Sequence, residues 1–219
     1  MRPVLQVFAR APVPGHCKTR LIPALGAAGA AQLHERLVHH SLATAEEWLR
    51  SARQVAPHAR VELWCAGDPQ HPFFAACASA WPVQLKLQSG PDLGARMWLA
   101  LCGALACGER PVLIGTDCPS LAVSELSAAF ATMEGADAVY APAYDGGYVL
   151  VGLARAIPEL FAGIDWGSRR VMAATRKAAA RTHARLAELR RFHDLDTPSD
   201  LARLRRAPQF APLLAGLTP

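Results

Sequence analysis

The chain has 219 residues, 52% of them apolar, with 23 Lys and Arg against 18 Asp and Glu, a net charge of +5. That length suits one domain with a sizeable core, and no uninterrupted apolar stretch approaches the ~20 residues needed to span a bilayer. The short run Val4 to Ala9, followed at once by Arg10 and prolines, is too short for a signal-peptide core, so a cytoplasmic protein is expected. The run itself reads as a buried strand, interrupted by Gln6. Gly26 to about Arg50 reads as the first helix, with Leu33, Leu37 and Leu49 at helix spacing. Val61–Ala66 is a second strand, Phe73–Trp81 a short helix, Val83–Leu87 a third strand and Asp92–Cys107 a helix. Pro111–Gly115 is a strand, and a helix capped by Ser124 runs to about Glu134. Asp137–Ala141 and Tyr148–Leu153 are two strands around a turn at Asp145, Gly146 and Gly147. A helix over Ser168–Arg181, a strand near Arg191–Leu195 and a last helix capped by Thr197, with Pro198 first and Asp200 third, complete the chain.

Strands separated by helices imply a Rossmann-like α/β/α domain around a mostly parallel mixed sheet, with ligands at the carboxyl ends of the strands. Residues 1–219 are read as one domain, without repeat or linker. Six scattered cysteines without a CxxC pair read as reduced core thiols. Cys118, beside Asp117, lacks a neighbouring base in sequence and is not read as a nucleophile. Eleven Lys and Arg residues crowd Arg169 to Arg206. Without a nucleic-acid motif or interleaved aromatics, they read as solvated helix surface rather than a nucleic-acid face.

Four segments at predicted strand ends carry residues that secondary structure alone does not select. In RAPVPGHCKTRL, Arg10 to Leu21, Pro12 and Pro14 stiffen the loop and Gly15 admits close backbone. Lys18, Thr19 and Arg20 supply donors to phosphate oxygens, although the segment has neither Walker A nor GxGxxG spacing. In IGTDCPSL, Asp117 follows an apolar strand, where it can ligate Mg²⁺ or cap the turn before Pro119. In PAYDGGYVLVG, Asp145, Gly146 and Gly147 form either a plain hairpin turn or an acceptor-binding loop. In HDLDTPSDL, Asp194 and Asp196 alternate on one face of the predicted strand, and one of them can be a second metal ligand. A fifth segment, QSGPDLGARM, places Asp92, Gly94 and Arg96 at a helix opening that attracts anions, with Asp92 equally well explained as an N-cap. The eight histidines show no metal-ligand pattern, and GxSxG is missing.

Taken in order with IDWGSRRVMAAT, these motifs resemble the bacterial DUF2064 family, also labelled the selenium- and radical-SAM-associated transferase 1 family, from Phe8 to about Leu204. The KTRL and DTPxDL segments also resemble phospholactate guanylyltransferases and sugar-acid cytidylyltransferases. The resemblance implies a GT-A type, nucleotide-diphospho-sugar transferase fold and a nucleotide, either an NTP or an NDP-sugar, used with a small-molecule acceptor. It assigns Arg10, Pro14, Gly15, Lys18, Thr19, Arg20, Gly94, Arg96 and Thr116 to the nucleotide, and Asp117 with Asp196 to Mg²⁺ or Mn²⁺, with Asp194 in reserve. Lys18, Arg20, Asp117 and Asp145 carry the catalytic expectation, and Asp145, Gly146 and Gly147 the acceptor. The chain departs from many glycosyltransferases in reading Thr116-Asp117-Cys118-Pro119 where they have a DxD triplet.

Overall fold

The computed structural model describes residues 2–217. Seven strands form one sheet in the order β3-β2-β1-β4-β6-β5-β7: β1 Arg2–Arg10, β2 Arg60–Ala66, β3 Val83–Leu87, β4 Glu109–Ile114, β5 Ala138–Pro142, β6 Tyr148–Leu153 and β7 Leu186–Glu188. β6 runs against β4 and β5, while the other neighbouring pairs are parallel. β1 and β4 carry wholly buried apolar runs, as central parallel strands covered on both faces require. On one face β1, β2 and β4 pack with α1 (Ile22–Ala52), α2 (Pro72–Ala80) and α4 (Val123–Thr132) around Leu5, Val7, Leu63, Phe74 and Ile114. On the other, α3 (Leu93–Ala106) and α5 (Val171–Arg181) cover Phe8, Leu113, Tyr140 and Val151.

Gln6, the polar break in the first apolar run, is fully buried and ties three elements together. Its Nε2 donates to Glu62 Oε2 on β2 at 3.1 Å and to the Ala100 carbonyl on α3 at 2.9 Å. Gly26 marks the true start of the long helix: its φ of +67° breaks α1 after one turn, a conformation that glycine adopts without a Cβ clash.

Two local expectations fail. The strand expected at Arg191–Leu195 is not one; the last strand lies earlier, at Leu186–Glu188, paired with β5. Only Phe192 keeps a bridge, to Ala143 just past the end of β5, its N–H donating to the Pro142 carbonyl and its carbonyl accepting the Tyr144 N–H. Asp194 and Asp196 therefore sit on an irregular segment. The α4 helix is not capped by Ser124 either; it begins one residue earlier, and Glu125 accepts the Ala122 N–H at 3.0 Å. The last helix, α6 (Pro198–Arg205), has its expected cap, with Asp200 accepting the Thr197 N–H at 2.8 Å and the Thr197 hydroxyl accepting the Asp200 N–H. The C-terminal segment, ending in α7 (Ala211–Leu214), folds back on α1: Leu195, Leu201, Leu204 and Leu213 bury against Leu21, Leu25 and Leu33.

Candidate active site

β1, β4 and β5 all end at one edge of the sheet, and β6, being reversed, starts there. A cleft of about 350 Å³ opens at that edge, between Arg10, Thr116, Asp117, Asp145, Trp166 and Asp196. This is the location at which open α/β sheets bind ligands.

At its floor three distant segments meet. The Lys18 ammonium lies 2.6 Å from Asp117 Oδ1 and 2.9 Å from Asp196 Oδ1, and donates to the Leu195 carbonyl at 2.5 Å. The lysine side chain is only 3% exposed, whereas Asp117 and Asp196 keep 46% and 40% exposure toward the cleft. The leucine cluster explains how they meet, since Leu21 and Leu195 bury together and carry their neighbours with them. The Leu195 N–H also donates to the Asp117 carbonyl at 2.8 Å, stitching the C-terminal segment to the loop after β4. Burial works against the Lys18 charge, but the two carboxylates outweigh it and hold the ammonium above its ordinary pKa. Burial likewise opposes the Asp117 charge, and Lys18 outweighs it, holding that carboxyl below the usual range. Lys18 has a left-handed backbone, φ 47°, a sparsely populated conformation for a non-glycine residue.

Arg10 lines the cleft, with one guanidinium nitrogen donating to the His16 carbonyl at 3.2 Å, and Thr116 lines it from a buried position. Asp145 accepts the Gly147 N–H at 2.8 Å, and both residues line the cleft. Asp194 faces it as well, its carboxyl pushed up to about 6 by burial and by the charges of Asp145 and Asp196.

Other expected residues stand elsewhere. Pro14, Gly15, Thr19 and Arg20 are exposed outside the cleft wall, because the turn that buries Lys18 and Leu21 aims the residues around them to solvent. Pro14 lies instead in a shallow depression beside α1, with Glu35. Gly94 packs against Trp166, where a Cβ would overlap the indole. Arg96 folds back to donate to the Gly90 carbonyl at 3.1 Å. Gly146, at φ +98°, faces the backbone of Arg169, leaving no room for a side chain or an acceptor on that side.

Sequence reasoning missed His34, Gln88, Tyr148 and Trp166, all of which line the cleft. His34 is 5% exposed, and its Nε2 is 3.1 Å from the Arg10 carbonyl. Burial depresses its pKa below the ordinary histidine value. Its helical position carried no signal of this. Trp166 carried one, as a single aromatic amid IDWGS, a glycine- and serine-containing loop that gives a tryptophan no core of its own.

Among the described residues no three His, Cys, Asp or Glu side chains converge on a metal site. The donor set nevertheless fits a hard divalent cation. Lys18 meets Asp117 and Asp196 through Oδ1, and both carboxylate side chains keep exposure toward the cleft. Mg²⁺ characteristically takes one or two carboxylates and completes its shell with phosphate oxygens and water.

The order and directions of the strands, with the cleft at their carboxyl edge, define the nucleotide-diphospho-sugar transferase fold. The chain belongs to the DUF2064 family, described as uncharacterized protein conserved in bacteria, whose family model matches residues 49–168. It is similar to a solved structure from Desulfovibrio desulfuricans G20, a candidate nucleotide-diphospho-sugar transferase, with 30% identity over 98% of this chain and 91% of that one and a TM-score of 0.83. More distant structures share the fold. One is a CMP:2-keto-3-deoxy-manno-octonic acid synthetase complexed with CTP, at 11% identity, 96% and 100% coverage and a TM-score of 0.54. Another is Rv0371C from Mycobacterium tuberculosis H37Rv in complex with manganese, at 16% identity, 94% and 100% coverage and a TM-score of 0.51. No curated protein matches the chain.

Proposed function

We propose that residues 1–219 form a single-domain, divalent-metal-dependent transferase that uses a nucleotide, transferring a nucleotidyl group from an NTP to a small phosphorylated or sugar-like acceptor. The observation that carries this reading is the Lys18–Asp117–Asp196 cluster on the floor of an open cleft at the carboxyl edge of the sheet. An oxygen of the acceptor attacks the α-phosphorus, a new P–O bond forms, and the bond to the departing pyrophosphate breaks. Lys18 and Arg10 place positive charge beside the phosphates as negative charge builds on the leaving group. Asp117 and Asp196 would hold Mg²⁺ or Mn²⁺, which when bound neutralises phosphate oxygens and keeps the reacting atoms in line. Asp145 and Asp194, which also line the cleft, present acceptors for hydroxyl groups. Arg20 has no part in this reading, since it points to solvent.

A second reading, glycosyl transfer from a nucleotide-diphospho-sugar, is favoured by the name of the 30%-identical relative. In that case NDP leaves, and Asp145 orients the sugar or the acceptor. Pyrophosphate release measured with each NTP, Mg²⁺ and a panel of phosphorylated acceptors tests the first reading; silence throughout, with NDP release from a sugar nucleotide, would replace it by the second. The six free thiols support placing the protein in the reducing cytoplasm. Among the described residues no helix is long and apolar enough to cross a membrane.

A further inference from the structure

We infer that Lys18 is a resident counter-cation of the site: its ammonium fills the place between Asp117 and Asp196 in the nucleotide-free protein, so that divalent metal enters with the nucleotide rather than ahead of it. The inference rests on the metal-dependent reading above and adds a role for Lys18 that precedes chemistry.

The geometry is that of a bound cation. The ammonium has oxygens at 2.5, 2.6 and 2.9 Å: it donates to the Leu195 carbonyl and to Asp196, and forms an ion pair with Asp117. Its side chain is 3% exposed, so water contributes little to its shell. The pair of carboxylates is then already half neutralised, and a divalent ion approaching their outer oxygens meets a positive charge directly behind them. A triphosphate changes both conditions. Its oxygens offer the ammonium new acceptors on the cleft side, and they supply the ligands a divalent ion lacks when only two protein carboxylates are at hand. Asp117 and Asp196 are themselves open to the cleft, at 46% and 40% exposure, so phosphate oxygens reach the same carboxylates that the ammonium now neutralises. Linkage requires reciprocity: nucleotide tightens metal binding by the factor by which metal tightens nucleotide binding.

The test is Mn²⁺ binding by electron paramagnetic resonance without nucleotide, in the wild-type chain, Lys18→Met and Lys18→Gln, with melting temperatures recorded with and without Mn²⁺. Both variants should bind Mn²⁺ at least tenfold more tightly than wild type and gain more melting temperature from it, because their carboxylates have no other cation. Lys18→Arg, which keeps the charge, should bind as weakly as wild type. Should Lys18→Met fail to fold, Lys18→Gln, which keeps an N–H donor, carries the comparison. Variant affinity equal to or weaker than wild type overturns the inference and leaves Lys18 a fixed structural tie. Equal wild-type affinity for Mn²⁺ in the presence and absence of a nucleotide that binds overturns it too, whatever the variants do. Turnover assays on the wild-type chain separate the two claims: no wild-type turnover of any NTP or sugar nucleotide, with tighter Mn²⁺ binding by the variants, would stand against the proposed reaction only, and wild-type turnover with unchanged Mn²⁺ affinity in the variants against the counter-cation only.

Discussion

At the residue scale the site turns on a lysine that meets carboxylates 99 and 178 positions away in sequence. Asp117→Asn and Asp196→Asn should each lower metal-dependent turnover by a hundredfold or more. Each should also cost about 1 to 2 kcal/mol of stability, since the ammonium keeps one carboxylate and the Leu195 carbonyl while losing a charge-assisted bond at a partly open site. Steady-state kinetics and urea unfolding check the two halves of that expectation. Asp117, Asp145 and Asp196 stand in the sequence just past apolar strands or among turn glycines, where each also had a plain structural use, and all three line the cleft. Asp196 was found through a strand that does not exist; its loop, not its face on a strand, brings it to the cleft. Arg20 and Gly15 were misplaced for a simple reason. A basic loop reads as a phosphate cradle in one dimension, but burial of Lys18 and Leu21 turns its other polar residues outward. His34 was hidden by an ordinary helical spacing, and Gly94 packs directly on Trp166.

Among the elements, the N-terminus of β5 is held by Asp137, which accepts the Arg185 N–H at 2.9 Å just ahead of β7 and pairs with the guanidinium groups of Arg155 and Arg185. These bonds, the Arg185 N–H foremost, hold its carboxyl well below the usual range. A carboxyl lowered on folding stabilises above the ordinary Asp pKa of about 3.9, and that contribution is lost as pH falls below it. Asp137→Asn should therefore lower stability at pH 7 by about 1 to 2 kcal/mol and flatten the acid limb of the stability curve below about pH 4. Urea midpoints at pH 3 and pH 7 compare the two proteins. Thr197→Ala, which removes the α6 cap, should cost about 1 kcal/mol by the same measurement. Gly94→Ala would drive a methyl into the Trp166 indole; about 1 to 3 kcal/mol and weakened ligand binding are expected, read from unfolding and nucleotide titration. Elements built on strong periodicity were legible: β3 and β6 have the bounds their alternation and apolar runs predict. β7 was not, because three half-exposed residues give no pattern and only the open edge of β5 selects them.

For the whole molecule, the reversal of β6 and the return of the C-terminal segment onto α1 bring the loops after β1, β4 and β5 to one edge. The alternation of strands and helices predicts a sheet of this class, but its order depends on which faces bury together, which no local window of sequence contains. Five of the eleven basic residues in the C-terminal stretch pair within the fold: Arg170, Arg176, Arg185, Arg190 and Arg203 meet Asp165, Glu188, Asp137, Glu125 and Asp200. What the molecule keeps open is the cleft. The most direct test of its assignment is calorimetric titration of wild type and Asp117→Asn with the four NTPs and with UDP-, GDP- and ADP-sugars, each in Mg²⁺. The account predicts saturable binding of at least one nucleotide to wild type, weakened tenfold or more in the variant. Binding of equal strength to both proteins, or of no nucleotide to wild type, would contradict it.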